Sequence, residues 1–327
     1  MDASSPFALL LRSRPVPLAS FAAVMGIVGV GLDWRLAYES GYAARIIGES
    51  VLALGIAAFF ALTVRWLLRI RSDRREIDVE TTVALTANYF GAIGIAFSLT
   101  AAAIAPYSVS GARMTWFVAA VWGAGLVLYL LGKWIQTGVD DFDLTPAILL
   151  PVVGNAVSVY VAGSVGVEEY AWFSFSLALV CWMVLMPLSL YRLLVVKPRL
   201  PRKLAPQLAI LVSSPAVIAN AWFVLDGSRV DELMKILACA SLFFALLTIR
   251  TWRLGWGEPF NVAMWGWTFP AAALAGSFER IALASPSAPS VNLAQTLLWI
   301  ATGITAACIA CAVRGWLRQA TGIAIQT

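Results

Sequence analysis

The chain has 327 residues, of which 61% are apolar and 13% are charged, and its formal net charge is +5. A soluble domain usually carries about 25% charged residues, so this composition excludes an ordinary soluble protein as well as a disordered one. The absence of histidine excludes haem, zinc or copper held by imidazole, and it excludes general base catalysis by His. The sequence therefore predicts an all-α polytopic membrane protein that forms a single transmembrane domain over residues 1–327.

Charge-poor apolar runs define the predicted elements, since a helix needs about 20 apolar residues to cross a bilayer. Short loops separate consecutive runs, so neighbouring helices are predicted to pack as five antiparallel hairpins, for which a ring of five hairpins is one possible arrangement. The ten predicted spans, numbered 1 to 10 in chain order, are residues 16–32, 43–64, 81–105, 114–132, 145–166, 170–190, 205–225, 232–249, 260–279 and 291–313.

The loop charges predict the orientation in the membrane. With ten spans, both termini lie on one side, and the tails and loops of that side carry 17 of the 23 Lys and Arg residues. Because positively charged loops remain in the cytoplasm, both termini are predicted to be cytoplasmic, in a multi-pass protein of the cell (inner) membrane. Basic residues placed in this way indicate membrane topology, and no nucleic-acid partner is expected.

Odd-numbered and even-numbered spans differ in composition. The even spans from 4 onwards consist mainly of Leu, Ala, Val, Ile and Trp, whereas odd spans contain interior prolines and small polar residues. Broken backbone and polar side chains are tolerated at membrane depth only inside protein or beside a water-filled cavity. The odd helices are therefore predicted to form an inner ring. Its predicted pore-lining residues are Pro151, Pro215 and Pro270, as kinks, and Asn155, Ser158, Ser214, Asn220 and Thr268, as polar candidates.

An inner ring of kinked helices predicts a permeation path. Proline removes a backbone hydrogen bond, and the half-helix N-terminus that it creates favours anions. No predicted inner span has a charged residue near its centre, and Glu279 and Arg280, at the end of span 9, are expected to pair or to reach the membrane surface. Because proton-coupled carriers usually keep a buried carboxylate, this pattern favours a pore.

Phe269 directly precedes Pro270 in span 9. A bulky ring beside a kink could close a narrow pore as a hydrophobic gate, or it could simply pack against neighbouring helices, and the residues alone leave both roles open. Cys308 and Cys311 have C-x-x-C spacing but lack a second pair, so neither a metal site nor a cofactor is expected. No cluster of catalytic side chains can be assembled, so the chain is not expected to be an enzyme.

Four segments together resemble the tellurite-resistance/C4-dicarboxylate transporter family, which includes the plant slow anion channels. They are LLPVVGNAVS (149–158), SSPAVIANAWF (213–223), DELMKILACASLFFALLTIR (231–250) and FNVAMWGWTFPAAALA (260–275). The resemblance implies five helical hairpins in a quasi-five-fold ring around a central pore, a homotrimer with one pore in each protomer, and Phe269 as the gate. Spans 1 and 3 lack the interior proline of many family members, and Gly26–Gly29 and Gly91–Gly94 are the candidate kinks there.

Two functions remain in competition at this point. The first is an anion channel of the slow-anion-channel and TehA type, which passes inorganic or small organic anions through the bilayer. The second is a secondary transporter or exporter of C4-dicarboxylate, sulfite or tellurite-like oxyanions, and a role in tellurite resistance or C4-dicarboxylate transport would follow from it. The fold of the family does not decide between these two functions.

Overall fold

The computed structural model describes residues 18–72, 87–251 and 260–320. These residues form ten helical segments, and we number them α1 to α10 in chain order. Seven are single α-helices: α1 (Phe21–Glu39), α2 (Arg45–Ser72), α3 (Phe90–Ile104), α4 (Val109–Thr137), α6 (Glu168–Leu194), α8 (Glu232–Thr251) and α10 (Ala288–Ala320). Eight of the ten segments are long and apolar enough to cross a membrane, while α3 is a shorter apolar helix of 15 residues.

In the other three segments, α5, α7 and α9, a stretch of 3₁₀-helix leads into the α-helix. In α5 (Pro146–Val165), the 3₁₀ turn Pro146–Leu149 leads into the α-helix Leu150–Val157. In α7 (Arg202–Leu225), the 3₁₀ stretch Arg202–Ala209 precedes the α-helix Ile210–Leu225, and the 3₁₀ turns Val262–Trp267 precede α9 (Thr268–Ala284). Irregular backbone of this kind at membrane depth has to be enclosed by protein.

Burial follows the odd and even numbering. In the most apolar windows of α1, α5 and α7, between 72% and 83% of the residues are buried, against 17% to 33% in α2, α4, α6, α8 and α10. Most residues of α3 and α9 are buried as well. The odd segments therefore form the inside of the protein, and the even helices cover it with apolar side chains that suit contact with lipid.

The buried segments contact one another in a closed order. α1 packs against α3, α3 against α5, α5 against α7, α7 against α9, and α9 packs back against α1. Each odd segment also packs against the even helix that follows it in the chain. The predicted hairpins are thus present as packing pairs, and their odd members are brought into mutual contact.

Small residues allow α1 and α9 to approach closely. A Cβ atom placed on Gly26 would lie 1.9 Å from Oγ1 of Thr268, and one on Gly29 would lie 3.1 Å from Cβ of Ala272. One turn beyond Gly29 and Ala272, a Cβ atom on Gly276 would lie 2.6 Å from Oδ1 of Asp33. Both helices run in the same direction through these contacts, in the small-residue packing that membrane helices commonly use.

The glycines that the sequence analysis considered as kinks in spans 1 and 3 have a packing role. α1 is one continuous helix from Phe21 to Glu39, through Gly26 and Gly29. In α3, a Cβ atom on Gly91 would lie 2.7 Å from the backbone of Pro151 in α5. Because these glycines have no side chain, the neighbouring helices can approach closely at these positions.

The end of the first span was predicted too early. α1 continues past residue 32 to Glu39, and it buries Asp33 and Trp34. Arg35 on the following turn is bound at 3.0 Å by Glu49 of α2 and donates to the carbonyls of Ala102 and Ala103 of α3. The predicted boundary at residue 32 rests on the charge of Asp33, and such a boundary leaves a buried carboxylate out of the first helix.

Candidate functional site

A cavity lies where the N-terminal parts of all five odd segments meet. It offers about 40 Å³ of space to water-sized molecules, enough for a few waters. One residue from each segment illustrates how the wall is shared: Met25, Ile95, Val153, Ile210 and Phe269. We take this cavity as the candidate site, because residues from all five odd segments contribute to its wall.

Most of the cavity wall is apolar, with a polar group at one side. Gln207 of α7 donates from Nε2 to the hydroxyl of Tyr89 at 3.1 Å, while its own Oε1 is buried and has no partner among the described residues. Ser213 of α7 also lines the cavity. These three residues are not among those predicted to line the pore, because the side of a helix that a residue takes depends on the helix phase.

Phe269 is the second residue of α9 and is 5% exposed. Its ring lies over α1, where a Cβ atom on Gly29 would be 3.5 Å from Cδ2 of the ring. Pro270 lines the cavity beside it. The ring therefore occupies the cavity wall at a point where the facing helix has no side chain. A gating role for Phe269 remains a prediction.

The three predicted proline kinks lie close to changes of backbone geometry. Pro151 and Pro270 fall in the first turn of the α-helical parts of α5 and α9, directly after the 3₁₀ turns. Pro215 lies inside the α-helical part of α7 and is buried. Proline suits the first turn, since the amide hydrogen it lacks would have no partner within the helix.

Two of the predicted polar residues face the outer helix α4. Asn155 donates from Nδ2 to the carbonyl of Pro151 at 2.9 Å, and its Oδ1 would be 2.5 Å from a Cβ atom on Gly123 of α4. Ser158 donates to the carbonyl of Asn155, and its own carbonyl accepts from Nε1 of Trp116 in α4. Both residues therefore lie between α5 and α4, outside the cavity wall.

Two others bond to their own segments. Ser214 donates to the carbonyl of Ile210 at 2.7 Å, and the neighbouring Ser213 is the one that lines the cavity. Thr268 donates to the carbonyl of Trp265 at 2.7 Å and packs against Gly26. Hydroxyl groups that return to a nearby carbonyl in this way are satisfied locally and need no water-filled path.

The fifth polar residue, Asn220, belongs to a second polar site, formed by the C-terminal parts of the odd segments. Arg280 of α9 donates from Nη1 to Oδ1 of Asn220 at 3.4 Å, and its guanidinium lies over the ring of Tyr160, 5.6 Å from the centroid. We call this site the Arg280 cluster; its members are Asp33, Tyr42, Tyr160, Asn220, Glu279 and Arg280.

The two carboxylates of the Arg280 cluster are almost completely buried. Asp33 is 6% exposed and Glu279 is 1% exposed, and one oxygen of each lacks a hydrogen-bond partner within the described residues. The other oxygen of Glu279 accepts from the hydroxyl of Tyr42 at 2.8 Å. Burial and the neighbouring Glu279 raise the pKa of the Tyr42 phenol, so Tyr42 remains a donor at neutral pH. Among the described residues, these carboxylates form no metal-binding group with Cys or with each other.

Comparison with known proteins shows which family and which sequences the chain is similar to. The profile of the family described as "SLAC1: Voltage-dependent anion channel" matches residues 15–314. The guard cell S-type anion channel SLAC1 of Arabidopsis thaliana is 29% identical over 181 residues, which are 55% of this chain and 32% of that protein. The S-type anion channel SLAH3 of the same plant is 24% identical over 311 residues, 92% of this chain and 48% of that protein.

A bacterial protein matches over more of its own length. The tellurite resistance protein TehA homolog of Haemophilus influenzae is 21% identical over 282 residues, which are 85% of this chain and 82% of that protein. By contrast, the matched regions cover about half or less of the plant relatives.

Proposed function

Because this chain belongs to the voltage-dependent anion channel family, we propose that it is an anion channel whose pore runs through a quasi-five-fold ring of odd-numbered helices. The proposal is supported above all by the cavity, since all five odd segments contribute to its wall. The closed order of contacts among α1, α3, α5, α7 and α9 is consistent with such a ring. The substrates we propose are inorganic or small organic anions, as the names of the relatives suggest.

In this proposal Phe269 is the gate. The cavity wall that includes the Phe269 ring is largely apolar, with Met25, Ile95, Val153, Val157 and Ile210 among its residues. A hydrophobic constriction blocks ions because they cannot shed their hydration shell there, so the ring has to move before an anion can pass. Gly29 of α1 has no side chain to hold the ring at this point, which favours its movement.

Currents through planar bilayers test the proposed channel directly. Purified protein in a bilayer that separates unequal concentrations of potassium chloride is expected to carry current that reverses near the equilibrium potential of chloride. Reversal near the potassium potential, or protein-independent leakage alone, would contradict the proposed function.

A second function is favoured by one observation. The carboxylates Asp33 and Glu279 are both buried inside the odd segments, whereas the sequence predicts Asp33 beyond the end of span 1 and Glu279 paired with Arg280 or at the membrane surface. Intramembrane carboxylates are common in proton-coupled carriers. A secondary transporter for C4-dicarboxylate, sulfite or tellurite-like oxyanions is therefore our alternative, and the similarity to a tellurite resistance protein is consistent with it. Flux that requires a proton gradient would favour the carrier.

We further propose a homotrimer in the inner membrane with cytoplasmic termini, from the family resemblance and from the excess of Lys and Arg on one side. Labelling of single cysteines in an otherwise cysteine-free chain tests the orientation. Arg229→Cys, in the loop before α8, is expected to react with an impermeant maleimide in intact spheroplasts. Asp141→Cys, in the loop before α5, is expected to react only after permeabilisation. The reverse labelling pattern would show that the orientation is opposite to the proposed one. The molar mass of the detergent-solubilised protein tests the trimer.

A further inference from the structure

Arg280 lies on the same face of α9 as Phe269. The two residues are eleven positions apart, which is about three turns of an α-helix, and they are therefore separated by about 16 Å along the axis. Since the Phe269 ring faces the cavity at the N-terminal end of α9, the Cα–Cβ direction of Arg280 points to the interior of the odd segments at the other end. Phe278, nine positions from Phe269, takes the opposite face of α9.

The guanidinium of Arg280 reaches across this interior. In the closed order of contacts, α9 has α7 and α1 as its neighbours, whereas α5 lies two places away. Nevertheless the guanidinium lies over Tyr160 of α5 and bonds Asn220 of α7. Asp33 of α1 approaches from the remaining side, against Gly276. Four of the five odd segments thus surround one positive charge.

One edge of the guanidinium has no acceptor. Both hydrogen bonds of Arg280 start from Nη1, to Asn220 at 3.4 Å and to the carbonyl of Gly276 at 3.1 Å. Within the described residues, Nε and Nη2 have no hydrogen-bond partner and no carboxylate oxygen forms an ion pair with Arg280, a residue that is partly exposed. The Nε–Nη2 edge is the one that binds two oxygens of a planar anion side by side.

We propose that the Nε–Nη2 edge of Arg280 is an anion-binding site, on the far side of Phe269 from the cavity, and that it prefers anions with two coplanar oxygens, such as carboxylates, over spherical halides. The inference rests on the proposed pore and names the class of anion that the pore selects. Asp33 is the competing carboxylate: it lies beside Arg280 at Gly276, yet within the described residues it forms no ion pair with the guanidinium. Tyr160 and Asn220 hold the guanidinium plane in place.

The neighbouring charges are few, which makes the role of Asp33 testable. Besides Asp33 of α1, the charged or titratable groups around Arg280 are Glu279 of α9, Tyr42 of the loop after α1 and Tyr160 of α5. α7 contributes the neutral Asn220, and α3 and α10 carry no charged residue between Phe90 and Ile104 or between Ala288 and Val313. A substitution of Asp33 therefore changes the charge next to Arg280 without disturbing another ion pair.

Permeability ratios from reversal potentials, with formate and chloride as the probes, test this site. Arg280→Lys retains the charge but loses the two-pronged edge, so the formate-to-chloride ratio is expected to fall about three-fold or more while chloride conductance persists. Arg280→Gln is expected to lower the conductance of both anions by roughly ten-fold, and Asp33→Asn is expected to raise it about three-fold, since it removes the competing charge. Arg113→Gln is the matched control. Arg113 belongs to the even helix α4, and its hydrogen bonds go to the carbonyl of Val165 at the end of α5. Its loss is therefore expected to leave the ratio unchanged.

The outcomes separate this inference from the proposed function. If the wild type conducts anions but Arg280→Lys keeps its formate-to-chloride ratio and Asp33→Asn does not raise conductance, the anion site is overturned and the channel stands. If the wild type conducts no anion, the proposed function itself fails. A merely structural role for the cluster would lower conductance in both Arg280→Gln and Asp33→Asn, and such changes of equal sign would also overturn the proposal.

Discussion

Phe269→Ala is expected to raise single-channel anion conductance by at least about ten-fold, which corresponds to a barrier lower by about 1.4 kcal/mol. The ring is 5% exposed and lies in the apolar wall of the cavity at the start of α9. Without it, the narrow apolar contact with Gly29 of α1 opens into a space that water can enter. An anion then crosses this point with more of its hydration shell.

Loss of a buried ring also destabilises a protein, by about 3–5 kcal/mol for a Phe→Ala change, so conductance has to be compared at equal amounts of folded protein. Phe278→Ala is the matched control. Phe278 is 8% exposed on the same helix, but it packs against Val30, Trp34 and neighbouring residues, away from the cavity. The control is expected to lose stability without gaining conductance. Equal conductance of Phe269→Ala and wild type in planar bilayers would show that the ring is a packing residue.

Gly26→Ala is expected to destabilise the fold more than the same substitution at any other described glycine, because the added methyl group has the least room there. The new Cβ atom would lie 1.9 Å from Oγ1 and 2.3 Å from Cβ of Thr268. Thr268 cannot turn away without breaking its hydrogen bond to the carbonyl of Trp265, at the junction of 3₁₀ and α-helix. α1 and α9 have to separate instead. We expect a cost of about 3 kcal/mol and a melting temperature in detergent lower by roughly 5–10 °C.

Gly125→Ala in α4 is the control, because a Cβ atom there would meet nothing within 4 Å. That variant is expected to keep or slightly raise the melting temperature, since alanine is the better helix former. Thr268→Gly should recover part of the loss in a double variant with Gly26→Ala, as the nearest remaining atom would be the Phe269 nitrogen at 3.4 Å. Equal melting temperatures of Gly26→Ala and Gly125→Ala would mean that α1 and α9 do not pack through Gly26.

The helices themselves could be predicted from the sequence because length and charge-poor composition are local properties. Likewise, the polar residues and prolines of the odd spans predicted which segments are buried. By contrast, the direction of individual side chains depends on helix phase. Ser213 and Ser214 are adjacent, yet only Ser213 reaches the cavity, and no local pattern distinguishes them.

The Arg280 cluster could be predicted only in part. The sequence places Glu279 and Arg280 at the end of a span and predicts that they pair or reach the membrane surface. In the structure, Glu279 bonds Tyr42 and Arg280 bonds Asn220 of another segment. The sequence predicts that the first span ends before Asp33, since a carboxylate normally marks such an end. Its burial depends on Gly276 of α9, which leaves room for it 243 positions further along the chain. Contacts of this kind follow from the tertiary structure alone.

Anion efflux from liposomes that contain the purified wild-type protein is the most direct test of a pore through the odd segments. The membrane potential is clamped with valinomycin, and efflux is measured with and without a pH gradient. The account predicts efflux that follows the electrochemical gradient of the anion, carries net charge and is indifferent to the pH gradient. Efflux that saturates with anion concentration and stops without the pH gradient would contradict the channel, and it would make Asp33 and Glu279 the proton-binding residues of a carrier.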